Sequence, residues 1–414
     1  MRKMLLLLLL SSLFLSAFAE LHKPNRIIEY GVESTVGVSN NYFKPSDILT
    51  KNIVLDLQKI ADELPDEGLT FDVFGGFRTF LNFNIVEQFR LGFFVGLEGN
   101  GYLNIGKDLF DFLGSGYAVG QCVTFESSGY GDIWAEAGIS FHTKLFDTYG
   151  ITIAPAYVIP IAYIKKVRAQ ATVATTASGA IRGEAHAPVS IYTVVDAQKF
   201  VENDFTKEDI TDAISEAASQ GGVDISFEIE RPVLKRLDVG IFTRIPIVPG
   251  RLQYEMIENV YASFTEDNLL DEFLNKSRKS TRRMRYKVED IVYSKSGTQY
   301  VFRPFRLGIE GAWRPFGAWC VFRPKLAFVA RGLFTSDIEV YPEYAVDAHL
   351  TFLKVLGFNI GTAFENRVFI QRIGFMFNFR VVQIDIKAMV RSASLINSFA
   401  LSGAGAYVGL RIGF

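Results

Sequence analysis

The chain has 414 residues, with 43 Lys plus Arg against 45 Asp plus Glu, so its formal charge of -2 gives no electrostatic ground for a nucleic-acid partner. Hydrophobic residues make up 49% and charged residues 21%, alongside 35 Gly and 37 Phe. That mixture is too apolar for a disordered chain and too often interrupted for a bundle of membrane helices.

The first residues have the form of an export signal. Arg2 and Lys3 precede an apolar run containing Leu5 to Leu10, and Ala17-Phe18-Ala19 supplies small residues at a cleavage site. The expectation is a cleaved signal peptide over 1–19, an exported protein and one unit over 20–414. No Cys follows the cleavage point, which argues against a lipid anchor there. Cys122 and Cys320 are too few for a disulfide scaffold and are expected unpaired, with a single long-range bridge left open.

From residue 28 the apolar period is two, the signature of strands with one buried or lipid-facing side. Ile28, Tyr30, Val32, Val36 and Val38 alternate with Glu29, Gly31, Glu33 and Thr35. The same alternation covers 69–81, 89–97, 133–141, 151–163 and 237–247. Thr148 to Ile164 is uncharged over much of its length, but Pro155 and Pro160 argue for a strand rather than a spanning helix.

Three segments depart from the strand period. Ile48, Leu49, Ile53, Leu57, Ile60, Ala61 and Leu64 recur at helical spacing between Pro45 and Pro65, predicting an amphipathic helix over 46–64, on the barrel rim or as a plug in the lumen. The span 165–232 reads as a long loop excursion with a helix near 206–218, its Ala/Thr-rich part being a flexible loop or extended hairpin arms. Residues 268–287 combine a short helix with a basic run, seven of the twelve residues from Lys276 to Lys287 being Lys or Arg. Within it Arg283, Arg285 and Lys287 alternate with Met284, Tyr286 and Val288. This predicts a cation ladder facing a lumen if the strand is part of a wall, and a solvated basic surface if it is not.

Residues 303–414 read as a meander of strands. The faces opposite their apolar residues carry Arg306, Glu310, Arg314, Arg323, Lys325, Glu339, Glu343, Asp347, Arg372, Arg380, Asp385, Lys387 and Arg411. Both signs share that face with glycines, which fits a narrow polar interior better than the Lys- and Glu-rich surface of a soluble sandwich. Glu310, Glu339, Glu343 and Asp347 are expected to stand across the bore from the cation ladder. The apolar parity switches between Phe379 and Val382, where a tight hairpin and a β-bulge are both open.

The last segment places Phe414, Ile412, Leu410, Val408 and Ala406 on one face and Gly413, Arg411, Gly409, Tyr407 and Gly405 on the other. These residues resemble the closing strand of bacterial outer-membrane β-barrels. The resemblance implies that Phe414, Ile412 and Leu410 form an assembly signal, with the barrel-assembly machinery, periplasmic chaperones and outer-membrane lipid as partners. It also implies an outer-membrane location in a diderm bacterium. The fold class is therefore expected to be all-β, a transmembrane antiparallel up-and-down barrel of about 14 strands, within about 12 to 16, carrying two or three short helices.

Glu136, Ser140 and His142 share one strand face, yet same-face neighbours stand about 6–7 Å apart, too far for a direct nucleophile-to-base hydrogen bond. With no HExxH, GxSxG or Walker pattern, neither a metal nor a cofactor nor an enzymatic activity is expected. The expected function is a channel or transporter for small solutes, similar in size to the long-chain fatty-acid transporters. The alternative is a surface adhesin or structural barrel with a closed lumen.

Overall fold

The computed structural model describes residues 26–43, 57–86, 88–115, 122–146, 148–175, 181–196, 207–266, 282–288, 292–294, 298–335, 338–352, 355–379, 381–399 and 402–414. In chain order its N-terminal half contains β1 (Ile28–Asn40), helix α1 (Leu57–Glu63), β2 (Leu69–Val86), β3 (Phe89–Ile105), α2 (Lys107–Ser115), β4 (Cys122–Leu145) and β5 (Tyr149–Thr175). There follow β6 (Ile181–Thr193), α3 (Lys207–Ser219), β7 (Gly222–Leu234), β8 (Leu237–Val248), β9 (Gly250–Leu252) and β10 (Tyr254–Glu266). Next come β11 (Arg282–Val288), β12 (Val292–Ser294), β13 (Gln299–Val301), β14 (Phe305–Trp313) and β15 (Cys320–Arg331). The chain closes with β16 (Glu339–Phe352), β17 (Leu356–Glu365), β18 (Val368–Asn378), β19 (Val382–Ser392) and β20 (Gly403–Gly413).

Fourteen of these strands pair antiparallel into a closed barrel, in the order β1 to β5, β7, β8, then β14 to β20, with β20 returning to β1. The fold is an all-β closed barrel with an apolar outer face. The seam is zipped to its last residue, where Phe414 donates its N–H to the Ile28 carbonyl at 3.0 Å and accepts the Ile27 N–H at 2.5 Å. Short connections gather at the end of the barrel that holds Phe414, here the turn end; the long excursions leave from the opposite, loop end.

Alternation becomes an inside and an outside. Tyr30, Val36, Val73, Val95, Ile241 and Ile360 are exposed on the outer surface, while their neighbours in sequence face the bore. Exposed Trp313, Phe316, Trp319, Phe146 and Phe414 ring the turn end, the arrangement expected of side chains at a membrane interface. Closure removes the sheet edge, so backbone polar groups of the wall meet partners without water. Among the described residues no helix is long and apolar enough to cross a membrane.

The inner-face glycines have a steric role. A Cβ on Gly31 would lie 2.2 Å from the Phe80 ring and one on Gly37 2.2 Å from Phe74, so the two rings of β2 lie flat across β1 only because those positions have no side chain.

The span 165–232, expected as a loop excursion, contains the upper part of β5, all of β6, helix α3 and most of β7, a wall strand in which Val223, Ile225, Phe227 and Ile229 alternate with Asp224, Ser226, Glu228 and Glu230. Strand β5 is a fork. Gly150 to Val158 pairs with β7, whereas Ala162 to Thr175 pairs with β6. Buried Pro160, which has no N–H to give a ladder, sits between the two partners. Beyond the fork β6 pairs with β10, and β10 with β11 and β12, so these four strands form a lateral sheet outside the barrel wall.

Helix α1 covers the end of the helix expected over 46–64; residues 46–56 lie outside the described residues. Its Ile60, Ala61 and Leu64 form a cluster with Leu69, Phe110 of α2, Tyr42 and Ile105, at the loop-end tips of β1 to β3. This places the described end of the helix at the rim. The helix expected at 268–275 and residues 276–281 lie outside the described residues. At the parity switch the Phe379 N–H reaches the Val382 carbonyl at 2.7 Å, so β18 and β19 are joined by a tight hairpin.

Candidate functional site

A segment that sequence periodicity passes over enters the bore. Two three-residue strands, β9 and β13, pair with each other and with no wall strand. Their Leu252 and Val301 are 0% and 6% exposed and cluster with Phe94, Trp134, Ala156 and Val158. Phe93, Val95 and Ile133 point outward from β3 and β4, so Phe94 and Trp134 point inward and the ribbon that meets them lies within the barrel. Apolar burial anchors it there, each of the two side chains being worth about 1.5–3 kcal/mol.

Immediately after β13, Arg303 turns into a nest of carboxylates. Its Nη1 donates to Glu136 of β4 and its Nη2 to Glu98 of β3, each at 2.6 Å, and Asp224 of β7 stands 3.7 Å from Nη1. Arg244 of β8 lies 3.8 Å from Glu98 and donates from Nε to the Pro304 carbonyl at 3.3 Å. One guanidinium from the ribbon thereby joins three wall strands.

Other braces join wall strands inside the loop end. Arg391 of β19 meets Asp72 of β2 at 2.5 Å, with its guanidinium over Phe74. Arg331 of β15 pairs with Asp132 of β4 and stacks on Tyr130. The β17–β18 turn is tight, with Asn366 and Arg367 both at positive φ, and the Asn366 amide donates to Asn100 Oδ1 of β3 on the far side of the bore at 3.3 Å. Below these braces remains a cavity of about 710 Å³, lined by charges of both signs that include Glu33, Arg78, Glu228, Glu310 and Lys325.

The charges read from the sequence fall into local pairs rather than one transverse field. Arg306 meets Glu343 at 3.1 Å, and Arg372 meets Asp347 at 3.4 Å and Glu365 at 3.0 Å. Glu339 is held by Lys166 of β5 at 2.5 Å and by Arg367 at 3.0 Å. Arg411 reaches Glu33 across the seam at 2.8 Å, and Asp385 lies 3.5 Å from Lys387, which sits over the Tyr407 ring. Glu310 and Lys325 line the cavity, Lys325 over Phe242. Arg314 lies just past β14 at the turn end, 2.6 Å from Asp238, and Arg323 is exposed on β15. Arg380 lies outside the described residues.

The cation ladder is corrected. Arg283, Arg285 and Lys287 belong to β11, which pairs with β10 in the lateral sheet and is not one of the barrel strands. Glu310, Glu339, Glu343 and Asp347 therefore have no such strand opposite them in the wall. The reason is the fork: once β5 exchanges β7 for β6, everything paired outward from β6 leaves the circumference.

Of the polar column on β4, Glu136 is engaged by Arg303, and His142 Nδ1 lies 3.1 Å from Thr152 Oγ1. Cys122 and Cys320 are both free, at the loop end of β4 and the turn end of β15. Glu98, Asp224, Arg244, Arg303, Asp72 and Arg391 were absent from the expected site. Glu98 shows the inward parity of β3, opposite Leu97, and could have been found that way; Arg303 lies in a strandless stretch before Pro304 and has no periodic signal.

No family model and no curated relative matches the chain. Solved structures of similar fold include the toluene transporter TodX of Pseudomonas putida, at 7% identity and a TM-score of 0.44, covering 96% of this chain and 92% of that one. A Pseudomonas aeruginosa FadL homologue is similar at 8% identity and a TM-score of 0.42, covering 94% and 90%. The translocator domain of the autotransporter NalP from Neisseria meningitidis follows at 6% identity and a TM-score of 0.33, covering 98% and 95%.

Proposed function

We propose that this chain is an outer-membrane transport barrel, held shut by the β9–β13 ribbon and passing small polar solutes through its charged lumen when that ribbon moves. The observation that carries the reading is the 710 Å³ cavity lined by charges of both signs, which reaches up to Arg303 and its carboxylates. A barrel serving only as a scaffold gains nothing from a hydrated interior lined by ionisable groups, since each costs desolvation unless paired. In this reading the exported chain sheds residues 1–19, is delivered by periplasmic chaperones to the barrel-assembly machinery, and turns its loop end outward.

The test is conductance in planar bilayers. Wild-type protein is expected to show rare or no steps, and Arg303→Ala frequent ones. Silence from both, with folded protein verified in the same bilayers, would favour the second reading, a closed surface or structural barrel, for which the burial of Leu252 and Val301 is the supporting observation.

A further inference from the structure

The Arg303 nest has the composition of a ligand site already holding a substitute. Three carboxylates, Glu98, Glu136 and Asp224, come from three different strands of the wall and converge on one guanidinium. That guanidinium belongs not to the wall but to residues 302–304, which have no strand pairing and are secured by the short β9–β13 ribbon on one side. The wall thus builds the acceptors and the inserted segment lends the cation.

The nest is also incompletely filled. Asp224 is 2% exposed, lines the cavity, and neither of its carboxylate oxygens accepts a hydrogen bond. Its nearest cation, Arg303 Nη1 at 3.7 Å, already donates to Glu136 at 2.6 Å. A buried carboxylate without a donor is costly, and Asp224 stands in the wall of the cavity, covered by the Arg303 guanidinium. The groups facing the nest include Arg244, shared with Glu98, and Arg306, committed to Glu343. With Arg303 withdrawn, the three carboxylates and Glu343 would face only Arg244 and Arg306, leaving net negative charge in a confined site.

We propose that the nest is the recognition site for a small guanidinium-bearing cation, that Arg303 is its internal mimic, and that the solute opens the barrel by taking the place of Arg303. The inference rests on the transport reading for its consequence, opening, but not for the binding itself. A planar guanidinium presents five donors in a fixed fork, enough to serve Glu98 and Glu136 as Arg303 does and, free of a backbone tether, to turn a further N–H toward Asp224. No bond is made or broken; one ion pair is exchanged for another.

The experiment uses the full barrel in detergent, with Trp313→Phe and Trp319→Phe leaving Trp134 as the single indole, and methylguanidinium chloride as the probe. Trp134 clusters with Val301, two residues from Arg303, so movement of the ribbon alters its emission. The expected result is a saturable change that potassium chloride at the same ionic strength does not reproduce. Relative to it, Asp224→Asn should bind at least about tenfold more weakly and Arg303→Ala at least about tenfold more tightly, because the internal competitor is gone. Arg303→Gln serves if Arg303→Ala does not fold.

Opposite signs from the two substitutions are what a purely structural ion pair would not give. A response equal to that of potassium chloride, or binding no tighter in both Arg303 variants, overturns the proposal. Bilayer current separates the two readings: probe binding without current in any variant keeps the site and removes transport, while current through Arg303→Ala without probe binding removes the site and keeps transport.

Discussion

Replacing Arg391 with Ala should be among the most damaging single changes in the wall. The Arg391 and Asp72 side chains are 2% and 5% exposed and meet at 2.5 Å, bracing β19 to β2 across the two seam strands β20 and β1. Removing the cation leaves Asp72 buried with only the Ser39 hydroxyl, at 3.5 Å. Breaking one side of a buried pair costs about 3–5 kcal/mol, and loss of the cation held 3.7 Å above the Phe74 ring adds about 0.5–2 kcal/mol. The expected loss is about 4 kcal/mol, close to three orders of magnitude in the folded-to-unfolded ratio at about 1.4 kcal/mol per tenfold.

Substituting both partners, Arg391→Met with Asp72→Leu, removes the unpaired charge along with the pair and should land within about 1 kcal/mol of wild type or above it. Urea unfolding of the barrel reconstituted in liposomes, read as loss of the compact form on unheated gels, gives both numbers if the slope against urea stays constant. A single-variant loss below about 1 kcal/mol, or a double variant as weak as Arg391→Ala, would refute the assignment of the brace as a buried, desolvated pair.

Three further outcomes are expected. Gly31→Leu should lower stability by about 1–3 kcal/mol in the same urea assay, since the Phe80 ring occupies the space a Cβ would need; an unchanged midpoint would mean that the ring moves aside freely. Deleting Phe414 should reduce folded, membrane-inserted protein without a matching loss of synthesis, measured as the heat-modifiable fraction in isolated outer membranes, because the seam loses its final pair of backbone bonds. Converting Arg283, Arg285 and Lys287 together to Glu should leave the reversal potential of an opened Arg303→Ala barrel unchanged in a salt gradient, even at about 0.01 M salt where the Debye length reaches about 30 Å; a shift toward cations would return β11 to the conducting path.

In the strands it marked, the period-two alternation by itself determined which side faces outward and which meets the bore. The apolar face alone would also suit a soluble sandwich; the glycines and mixed charges of the opposite face are what set the class of fold, because they suit a narrow polar interior. Phe414, Ile412 and Leu410 marked the closing strand for the same reason. What alternation does not carry is the identity of a strand's neighbour. A strand with two usable edges pairs wherever register and the connecting chain allow, and β5 uses that freedom twice, so Arg283, Arg285 and Lys287 left the wall although their local pattern was that of a wall strand. The ribbon inside the bore was equally hidden. Leu252, Val301 and Arg303 lie in pieces too short to show a period, and their burial comes from Phe94, Trp134, Glu98, Glu136 and Asp224, residues brought within reach only once the sheet has curled into a barrel.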